Sequence, residues 1–499
     1  MNLAEIIESH PKDATALISR ARPTTYGELR EQVAGLRGAL VELGVKPGDR
    51  VALLCANNRY FVVSYLAILG IGAIAVPMNP LSPSAEISAE LNTTQAMAVI
   101  VGPNASSAVA SINRTAISSV QHVIATEGND IPDAVTLDEM LFHAPSPLVE
   151  RSEIDIAALL FTSGTAGSPK AAMLTHGNLL ANLHQLMENE GFKPTQSDVT
   201  LGVLPLHHIF GLNVVLGLSL FVGASVVLVE RFDPVATLET VAVRGITIIP
   251  GAPPMWVAWA NMPADSKDMF ATVRLASSGA AKLPDGVIEI FSTRFCVTLA
   301  EGYGLTEAAP VVSSAAMLPR RLGSVGVPLP GVLVRVVDPD GSDVLVGDSG
   351  EIWVKGPNVF IGYWNNQQAT DMALTPDGWL RTGDIGVIDS DGWLHIVDRA
   401  KDLIIVSGFN VYPAEVEEII EEHPGVVEAA VIGTTHPYTG ETVRAYVVLQ
   451  PGMMLEEETV IAFCAENLAR YKCPTKVFFV DALPHGGTGK VLRRILSTR

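Results

Sequence analysis

The segment FTSGTAGSPKAAMLTH, residues 161–176, combines hydroxyls, glycines and a lysine in one short stretch. An apolar strand is predicted directly before it, over residues 157–161, and a helix-like stretch after it. Glycines let backbone amides approach phosphate oxygens, hydroxyl groups add donors, and a lysine supplies a positive charge. The composition therefore predicts a phosphate-binding loop. Its candidate ligands are Thr162, Ser163, Gly164, Thr165 and Lys170.

This segment is not a Walker A loop, because Lys170 is followed by Ala171 and the GK[ST] ending is absent. A P-loop kinase or ATPase is excluded on that ground. A glycine-rich surface loop is the alternative interpretation of the segment taken alone.

Further segments that combine glycine with charged, hydroxyl or imidazole side chains follow along the chain. They are LPLHHIFG (204–211), SSGAAKLP (277–284), EGYGLTE (301–307), GEIWVKGPNVFIGYW (350–364), GWLRTGD (378–384), DRAKDLIIVSGFNVYPAEVE (398–417) and LPHGGTGKVLRR (483–494). Each has an ordinary interpretation by itself, such as a β-turn, a core histidine or a solvated lysine. As an ordered set spanning most of the chain, they resemble the adenylate-forming superfamily of acyl-CoA synthetases, peptide adenylation domains and luciferases.

The resemblance implies an ATP-dependent acid–CoA ligase. Such an enzyme joins a carboxylic acid to AMP with release of pyrophosphate, and then passes the acyl group to the thiol of coenzyme A. The implied cofactors are ATP, Mg²⁺ and coenzyme A. A fatty acid is the expected substrate and an aromatic acid is the alternative, because apolar residues dominate around the segments at 204–211 and 301–307.

Residues of the nucleotide site are assigned from the same resemblance. Adenine would lie between the backbone of residues 279–281 and an aromatic ring, and the ribose hydroxyls would bind an aspartate and an arginine. The assigned residues are Gly279, Ala280, Ala281 and Tyr303 for adenine, Asp384 and Arg399 for ribose, Thr306 for the α-phosphate and Glu307 for Mg²⁺.

The resemblance also implies residues for catalysis and for acyl transfer. Lys490 would stabilise the negative charge that develops as the carboxylate attacks the α-phosphate. His208 would lie beside the acid, and the neighbouring His207 is expected to be a core residue. The remaining assignments are Phe210, Val214 and Gly302 for the acyl pocket, Lys401 for a hinge, and Ser407, Gly408 and Phe409 for coenzyme A.

Four positions depart from the pattern of the superfamily. Ala166 and Ala171 stand where threonine and glycine are common, which removes a hydroxyl and adds a methyl near the nucleotide. Lys282 replaces a common proline and Asp398 a common glycine, and each could alter the reaction rate or the hinge preference.

The pattern of apolar residues predicts the elements that position these segments. A capping box at Thr25 and Glu28 opens an amphipathic helix that ends near Gly44, and short apolar strands alternate with helices after it. The predicted fold is α/β, with a large N-terminal domain of stacked α/β subdomains (1–398), including a β-rich subdomain over 332–398. A hinge over 399–403 and a small, mobile α+β domain over 404–499 complete it.

Composition restricts the partners. The 499 residues carry a formal net charge of -20, which disfavours non-specific binding to nucleic acid or to an anionic membrane surface. The longest apolar stretch, 61–76, is shorter than the ~20 residues of a spanning helix and is interpreted as a buried helix followed by a strand. Scattered cysteines and the lack of a secretory signal favour the cytoplasm. A homodimer is left open.

Two other functions are consistent with these segments. The first is a ligase that delivers the acyl-adenylate to a carrier protein instead of coenzyme A. The second is an inactive relative that only binds a nucleotide, which the intact set of charged residues disfavours.

Overall fold

The computed structural model of the chain describes residues 1–126, 131–162, 170–189, 193–399, 402–406, 409–436, 440–486 and 490–496. Up to residue 328, strands and helices alternate as predicted for an α/β protein. The strands are β1 (Thr15–Ser19), β2 (Arg22–Thr25), β3 (Arg50–Leu54), β4 (Ile74–Pro77), β5 (Ala98–Val101), β6 (His122–Ala125), β7 (Val135–Thr136), β8 (Ile156–Thr162), β9 (Lys170–Thr175), β10 (Val199–Gly202), β11 (Ser225–Leu228), β12 (Ile248–Gly251), β13 (Leu275–Ser278), β14 (Leu299–Gly304), β15 (Val311–Ser314) and β16 (Val327–Pro328).

The helices of this part pack on the two sheets that the strands form. They are α1 (Tyr26–Glu42), α2 (Arg59–Gly70), α3 (Ser84–Thr94), α4 (Ser106–Ala110), α5 (Leu137–Met140), α6 (His176–Glu188), α7 (Leu218–Val222), α8 (Pro234–Arg244), α9 (Pro253–Ala260) and α10 (Asp285–Ile290). Two π-helical segments cover Phe210–Gly217 and Phe291–Phe295, and short 3-10 turns cover Leu3–Ile7, Pro103–Ala105, Arg114–Ile117, Ala264–Phe270 and Thr306–Ala308.

Two largely parallel sheets form the body of this part. Among the described residues, one sheet has the order β7-β6-β5-β3-β4-β8-β9, in which only β9 runs antiparallel to its neighbour. The other has the order β16-β15-β14-β13-β12-β10-β11-β1-β2, with antiparallel pairs only at its two ends. Side chains of both sheets contribute to one continuous apolar core. Parallel sheets are covered on both faces, which explains why their strands are apolar runs.

A smaller antiparallel sheet follows, and then a separate small domain. The sheet pairs β17 (Leu333–Val337), β18 (Gly350–Lys355), β19 (Leu380–Ile388) and β20 (Leu394–Arg399) in sequence order, with α11 (Gln367–Ala373) between β18 and β19. The small domain contains β21 (Ile404–Val406), β22 (Phe409–Val411), α12 (Pro413–Glu421), β23 (Val426–His436), β24 (Gly440–Leu449), α13 (Glu457–Asn467), β25 (Lys476–Phe479) and α14 (Arg493–Leu496). Its strands form the order β22-β21-β24-β23, β25 pairs with β24, and its apolar core is its own. The predicted α/β class with a small C-terminal domain is therefore confirmed.

Local expectations are met at several elements. Helix α1 begins with the predicted capping box, in which Thr25 accepts from the backbone of Glu28 and the Glu28 carboxylate accepts from the backbone of Thr25. The stretch 61–76 is a buried helix, α2, followed by strand β4. Within the described ranges, we find no helix with both the length and the hydropathy needed to span a bilayer.

The first segment contains a strand that was not predicted. Residues 170–175 form strand β9, which pairs antiparallel with β8. The predicted helix follows the segment as α6, which begins at His176. Ala171 and Ala172 are buried in two different apolar clusters, as expected for neighbouring residues on opposite faces of a strand.

An aromatic cluster holds α9 against the second sheet. Trp259 is fully buried, and its ring lies 5.5 Å from that of Trp256 and 5.7 Å from that of Phe270. Its indole N–H donates to the backbone oxygen of Pro234 at 2.9 Å. This packing supports β12, which ends beside the candidate active site.

We expect Trp259→Ala to lower the free energy of unfolding by roughly 3–5 kcal/mol, because it leaves a cavity in this cluster and removes a buried hydrogen bond. Chemical denaturation measures the change. Val243→Ala on the exposed side of α8 is the control and should change the value by less than about 0.5 kcal/mol, since Val243 is 80% exposed. Equal effects of the two substitutions would contradict this account of the core.

Candidate active site

A cavity of about 680 Å³ lies where the two parallel sheets, the antiparallel sheet and the small domain meet. Strands β4, β8, β13 and β14 each end at its wall, which is the edge where α/β proteins bind ligands. Ten of the residues assigned from the sequence line it together with Thr162 and Lys170. They are His208, Phe210, Val214, Gly279, Ala280, Gly302, Tyr303, Thr306, Glu307 and Asp384. Lys490 of the small domain also lines it.

The phosphate-loop candidate is a connection between two antiparallel strands. Thr162 ends β8, Lys170 begins β9, and the two are register partners. The predicted ligands Ser163, Gly164 and Thr165 lie outside the described residues. The ammonium group of Lys170 lies 5.2 Å from the centre of the Tyr363 ring. A positive charge is thus present at this end of the cavity.

Glu307, the candidate Mg²⁺ ligand, is held by two hydrogen bonds. The hydroxyl of Tyr363 donates to its Oε1 at 2.7 Å, and the backbone N–H of Phe360 donates to its backbone oxygen at 2.8 Å. Burial, and after it the charge of Glu307, raises the pKa of the Tyr363 phenol, so the phenol keeps its proton and stays a donor. The sequence analysis gave Tyr363 no role, although it lies in the segment 350–364.

The donor set at Glu307 fits a hard cation such as Mg²⁺. No group of three or more aspartate, glutamate, histidine or cysteine side chains that could hold a metal is found in the described part of the chain. Mg²⁺ is commonly bound by one or two carboxylates, with substrate phosphates and water completing the octahedron. A single carboxylate in the same cavity as Lys170 matches that mode.

The nucleoside end of the cavity is defined by a tyrosine and a buried aspartate. The hydroxyl of Tyr303 donates to Oδ2 of Asp384 at 2.6 Å, and Asp384 is only 4% exposed. Asp384 lies within β19 directly after Gly383, whose φ of +70° bends the strand, so this segment is not a simple β-turn. Its register partner on β20 is Arg399. The residues predicted for adenine and for ribose are therefore neighbours, through the Tyr303–Asp384 hydrogen bond and the pairing of β19 with β20.

The segment 277–284 contributes backbone to the same wall. The ring of Phe210 packs on Gly279, where an added Cβ would lie 3.0 Å from Cε1 of that ring. Ala280 follows with a φ of +75°, which turns the chain away from the cavity. Ala281 is exposed and is not part of the cavity wall. Of the three backbone positions predicted for adenine, Gly279 and Ala280 therefore lie at the site.

Both histidines of the segment 204–211 line the cavity. Burial lowers the pKa of His207 to about 4 and that of His208 to about 4, and the charge of Lys490 further lowers the value of His208. The rings are neutral at pH 7. The backbone N–H of Phe210 donates to Nδ1 of His208 at 3.4 Å, which leaves the proton of the neutral ring on Nε2. The structure thus places His207 as well as His208 at the site, and brings Lys490 close to His208.

Several assignments fall wholly or partly outside the described residues. The hinge candidate Lys401 and the coenzyme A candidates Ser407 and Gly408 lie outside them. Phe409 is described as the first residue of strand β22, in the small domain. These four assignments remain predictions.

Arg493, three residues after Lys490, has a clear structural role. It forms ion pairs with Glu417 of α12 at 2.6 Å and with Asp402 at 3.2 Å. The attraction of these carboxylates raises its pKa despite burial. The chain segment that carries Lys490 is therefore tied to α12 and to the start of the small domain.

A buried acid lies in the same cavity and was not anticipated from the sequence. Glu90 of α3 lines the cavity with Glu86, and its Oε2 has no hydrogen-bond partner among the described residues. Glu90 is 7% exposed, and burial together with the charge of Glu86 raises its pKa to about 8. Glu90 is thus largely protonated at pH 7. Helix α3 contains two glutamates, and no role was predicted for either of them.

Comparisons with known proteins agree with this geometry. Residues 3–364 match the AMP-binding enzyme family and residues 415–490 match the AMP-binding enzyme C-terminal domain. The chain belongs to the AMP-binding enzyme family.

A long-chain-fatty-acid–CoA ligase of Salmonella typhimurium is 35% identical over 518 residues, covering 97% of this chain and 91% of the relative. Among solved structures, ATP-bound MatB from Rhodopseudomonas palustris superimposes with a TM-score of 0.92 at 34% identity, covering 100% of this chain and 98% of that one. The apo form of that protein gives 0.79 at the same identity and coverage. The anthranilate CoA ligase AuaEII in complex with anthranoyl-AMP gives 0.92 at 28% identity, covering 100% and 97%.

The protonated state of Glu90 has a measurable consequence for stability. The carboxyl ionises near its ordinary pKa of 4.5 when unfolded but only near pH 8 when folded, so the native protein loses stability as pH rises through this window. Glu90→Gln does not titrate. We therefore expect the variant to gain stability relative to the wild type between pH 5 and pH 8, by at most about 5 kcal/mol at 1.4 kcal/mol per pKa unit.

Denaturation at a series of pH values measures this difference. The exposed Glu239→Gln variant of α8 is the control and should follow the wild type at every pH. A constant difference between Glu90→Gln and wild type across the window would show that Glu90 is ionised in the folded protein.

Proposed function

We propose that the protein is an ATP-dependent carboxylic acid–CoA ligase that forms an acyl-adenylate, releases pyrophosphate and then AMP, and acts on a fatty acid. The observation that carries the proposal is the convergence of Lys170, Glu307, Asp384, His208 and Lys490 on one cavity. Lys170 supplies a positive charge for the phosphates, and Glu307 supplies a metal ligand. Asp384 supplies a hydrogen-bond acceptor for the ribose hydroxyls, His208 a neutral imidazole and Lys490 a second positive charge.

Binding of ATP is assigned to three parts of the cavity. Lys170 and Thr162, with Ser163, Gly164 and Thr165 beside them in sequence, hold the β- and γ-phosphates. Thr306 binds the α-phosphate and Glu307 binds Mg²⁺. The ion neutralises phosphate charge when it is bound. Tyr363 keeps the Glu307 carboxylate in place through its hydroxyl.

Recognition of the nucleoside depends on the Tyr303–Asp384 hydrogen bond. The phenol donates to Oδ2 of Asp384 and orients this carboxylate, which accepts the two ribose hydroxyls when the nucleotide binds. The ring of Tyr303 then faces adenine, with the backbone of Gly279 and Ala280 opposite. Arg399 adds a charged contact to the ribose.

In the first step, one oxygen of the substrate carboxylate attacks the α-phosphorus, the bond to the bridging oxygen breaks, and pyrophosphate leaves with that electron pair. Lys490, which lines the cavity, contacts both the carboxylate and the α-phosphate in this proposal and stabilises the charge as it moves between them. His208 is neutral, so it can donate from Nε2 to the acid without adding a second positive charge beside Lys490.

The substrate preference is inferred from the residues of the cavity wall that are not assigned to ATP. Val214, Phe210, Pro310 and Val311 make part of this wall apolar, and Gly302 adds no side chain to it. This favours an alkyl chain, in line with the fatty-acid ligase relative. An aromatic acid with a polar substituent is the second candidate, favoured by Ser278, whose buried hydroxyl lines the cavity and has no partner among the described residues.

In the second step, the thiol of coenzyme A attacks the acyl carbon and AMP leaves. Lys490 has to withdraw to let the thiol enter, so we infer that the small domain reorients at the hinge around Lys401. Ser407, Gly408 and Phe409 would then line the path of the thiol. Delivery to a carrier protein instead of coenzyme A is the alternative outcome of this step.

The setting of the reaction is inferred from composition. The net charge of -20 disfavours nucleic acid as a partner, and the small-molecule acid is the expected one. The four cysteines are free, which fits the reducing cytoplasm. A homodimer stays a prediction.

A panel of carboxylic acids tests the function. We expect pyrophosphate release that depends on both ATP and the acid, with the highest kcat/KM for a fatty acid, and conversion of coenzyme A to its thioester. Ring-bearing acids with hydroxyl or amino groups test the second substrate candidate, and a phosphopantetheinylated carrier protein tests the other acceptor. Failure of every acid to release pyrophosphate would favour an inactive relative.

Lys490→Ala should lower the adenylation rate by roughly 10²–10³, because one preorganised charge is lost from the transition state. Thioester formation from supplied acyl-adenylate should change much less, since Lys490 is not used there. Isotope exchange between pyrophosphate and ATP measures the first step. Lys476→Ala, at an exposed lysine of the same domain, is the control and should retain both rates. Full exchange activity in Lys490→Ala would refute the assigned role.

Glu307→Gln should raise the Mg²⁺ concentration needed for half-maximal adenylation by about tenfold or more, since the amide is a poorer ligand for a hard cation. Calorimetric titration of Mg²⁺ in the presence of a non-hydrolysable ATP analogue measures the binding directly. Tyr363→Phe keeps the carboxylate and should have a smaller effect. An unchanged Mg²⁺ dependence in Glu307→Gln would assign the ion to other ligands.

A further inference from the structure

An ion pair joins the large domain to the small domain beside the cavity. Lys282, in the connection between β13 and α10, donates from Nζ to both carboxylate oxygens of Glu418 in α12, at 3.0 and 3.1 Å. Among the described side chains, it is the one ion pair that connects a residue before the predicted hinge with a residue after it. Its position suggests an effect on how the two domains are oriented.

The large-domain end of this pair is anchored at the nucleotide wall. Leu283, the next residue, donates its backbone N–H to Oε1 of Glu301 at 3.1 Å. Glu301 lies in β14, directly before Gly302 and Tyr303 of the cavity wall. The position of Lys282 is therefore coupled to the site that holds the nucleoside.

The small-domain end is coupled to Lys490. Glu417, adjacent to Glu418 in α12, forms the ion pair with Arg493, and Arg493 lies three residues after Lys490. Holding α12 at Glu418 therefore also restrains the segment that brings Lys490 into the cavity, because Glu417 of the same helix pairs with Arg493.

A second contact reaches the same helix from the large domain. The buried carboxylate of Asp398, at the end of β20, accepts the backbone N–H of Ala414 at the start of α12, at 2.9 Å. Lys282 and Asp398 are two of the four positions at which this sequence departs from the superfamily pattern. Both departures therefore contact α12.

We propose that Lys282 is a positioning residue, whose ion pair with Glu418 holds the small domain in the orientation that brings Lys490 beside His208 and so favours adenylation over thioester formation. The inference rests on the proposed two-step reaction.

The Lys282–Glu418 ion pair is weak enough to break in every catalytic cycle. Lys282 and Glu418 are 55% and 56% exposed, so water and salt screen their attraction. Exposed ion pairs of this kind shift an equilibrium by about twofold to fivefold. A stronger contact would slow the reorientation that the second step requires.

The test compares the two half-reactions in the same variants. Adenylation is measured by isotope exchange between pyrophosphate and ATP, and thioester formation by supplying acyl-adenylate and coenzyme A. We expect Lys282→Ala and Glu418→Ala each to lower the ratio of the first rate to the second by about twofold to fivefold. Combining them should lower it no further, because either substitution alone already removes the interaction.

Charge reversal separates this role from a general effect on stability. Lys282→Glu should lower the ratio more than Lys282→Ala, because it repels the acidic α12, and adding Glu418→Lys should restore it. Lys476→Ala breaks a comparable exposed pair inside the small domain, with Glu457, and should leave the ratio unchanged. Raising the salt concentration to 0.5 M, about the range in which surface pairs are screened, should lower the ratio of the wild type and not that of Lys282→Ala.

Three results would overturn the inference. They are an unchanged ratio in both alanine variants, a charge-swapped double variant as impaired as Lys282→Glu, and a fall in thermal stability without any change in the ratio. A wild type without acid-dependent exchange would instead refute the proposed function, so the two failures can be told apart.

Discussion

The site depends on holding positive charge against a polyanionic nucleotide, although the protein as a whole carries a net charge of -20. Long-range attraction cannot supply that charge, so it has to come from particular side chains inside the cavity. Lys170 is delivered by a strand of the large domain and Lys490 by a segment of the small domain. Because the two lysines belong to different domains, the site can hold both positive charges in one step and lose one of them in the next.

Neutral and hydrogen-bonded groups surround these two cations. His207 and His208 are uncharged because they are buried, so they add no repulsion to Lys490. Tyr303 and Tyr363 each donate a hydroxyl to a carboxylate, at Asp384 and Glu307. Such bonds hold the carboxylates in place without neutralising them, because a phenol donates a hydrogen bond and keeps its proton.

Two sets of ion pairs, which differ in their exposure to solvent, hold the small domain. Arg493 is partly buried with Glu417 and Asp402, and these two ion pairs connect the Lys490 segment to α12 and to the start of the small domain. Lys282 and Glu418 form a half-exposed ion pair between the domains. Breaking a partly buried ion pair costs more than breaking a solvated one, so the pair between the domains is the easier one to break and form again.

The sequence by itself determined the α/β class, the capped helix α1, the buried helix at 61–76 and the small C-terminal domain, because apolar periodicity and caps are local properties of the chain. Thirteen of the residues assigned from the sequence line the cavity, because the ordered segments resemble those of the superfamily. Only the tertiary structure decided that Lys170 begins a strand, that Tyr363 and Glu90 reach the site, that His207 lines the cavity as well as His208, and that Lys282 meets Glu418. Each of these depends on contacts between residues far apart along the chain, and burial, hydrogen bonding and charge pairing at such distances leave no periodic signal in the sequence.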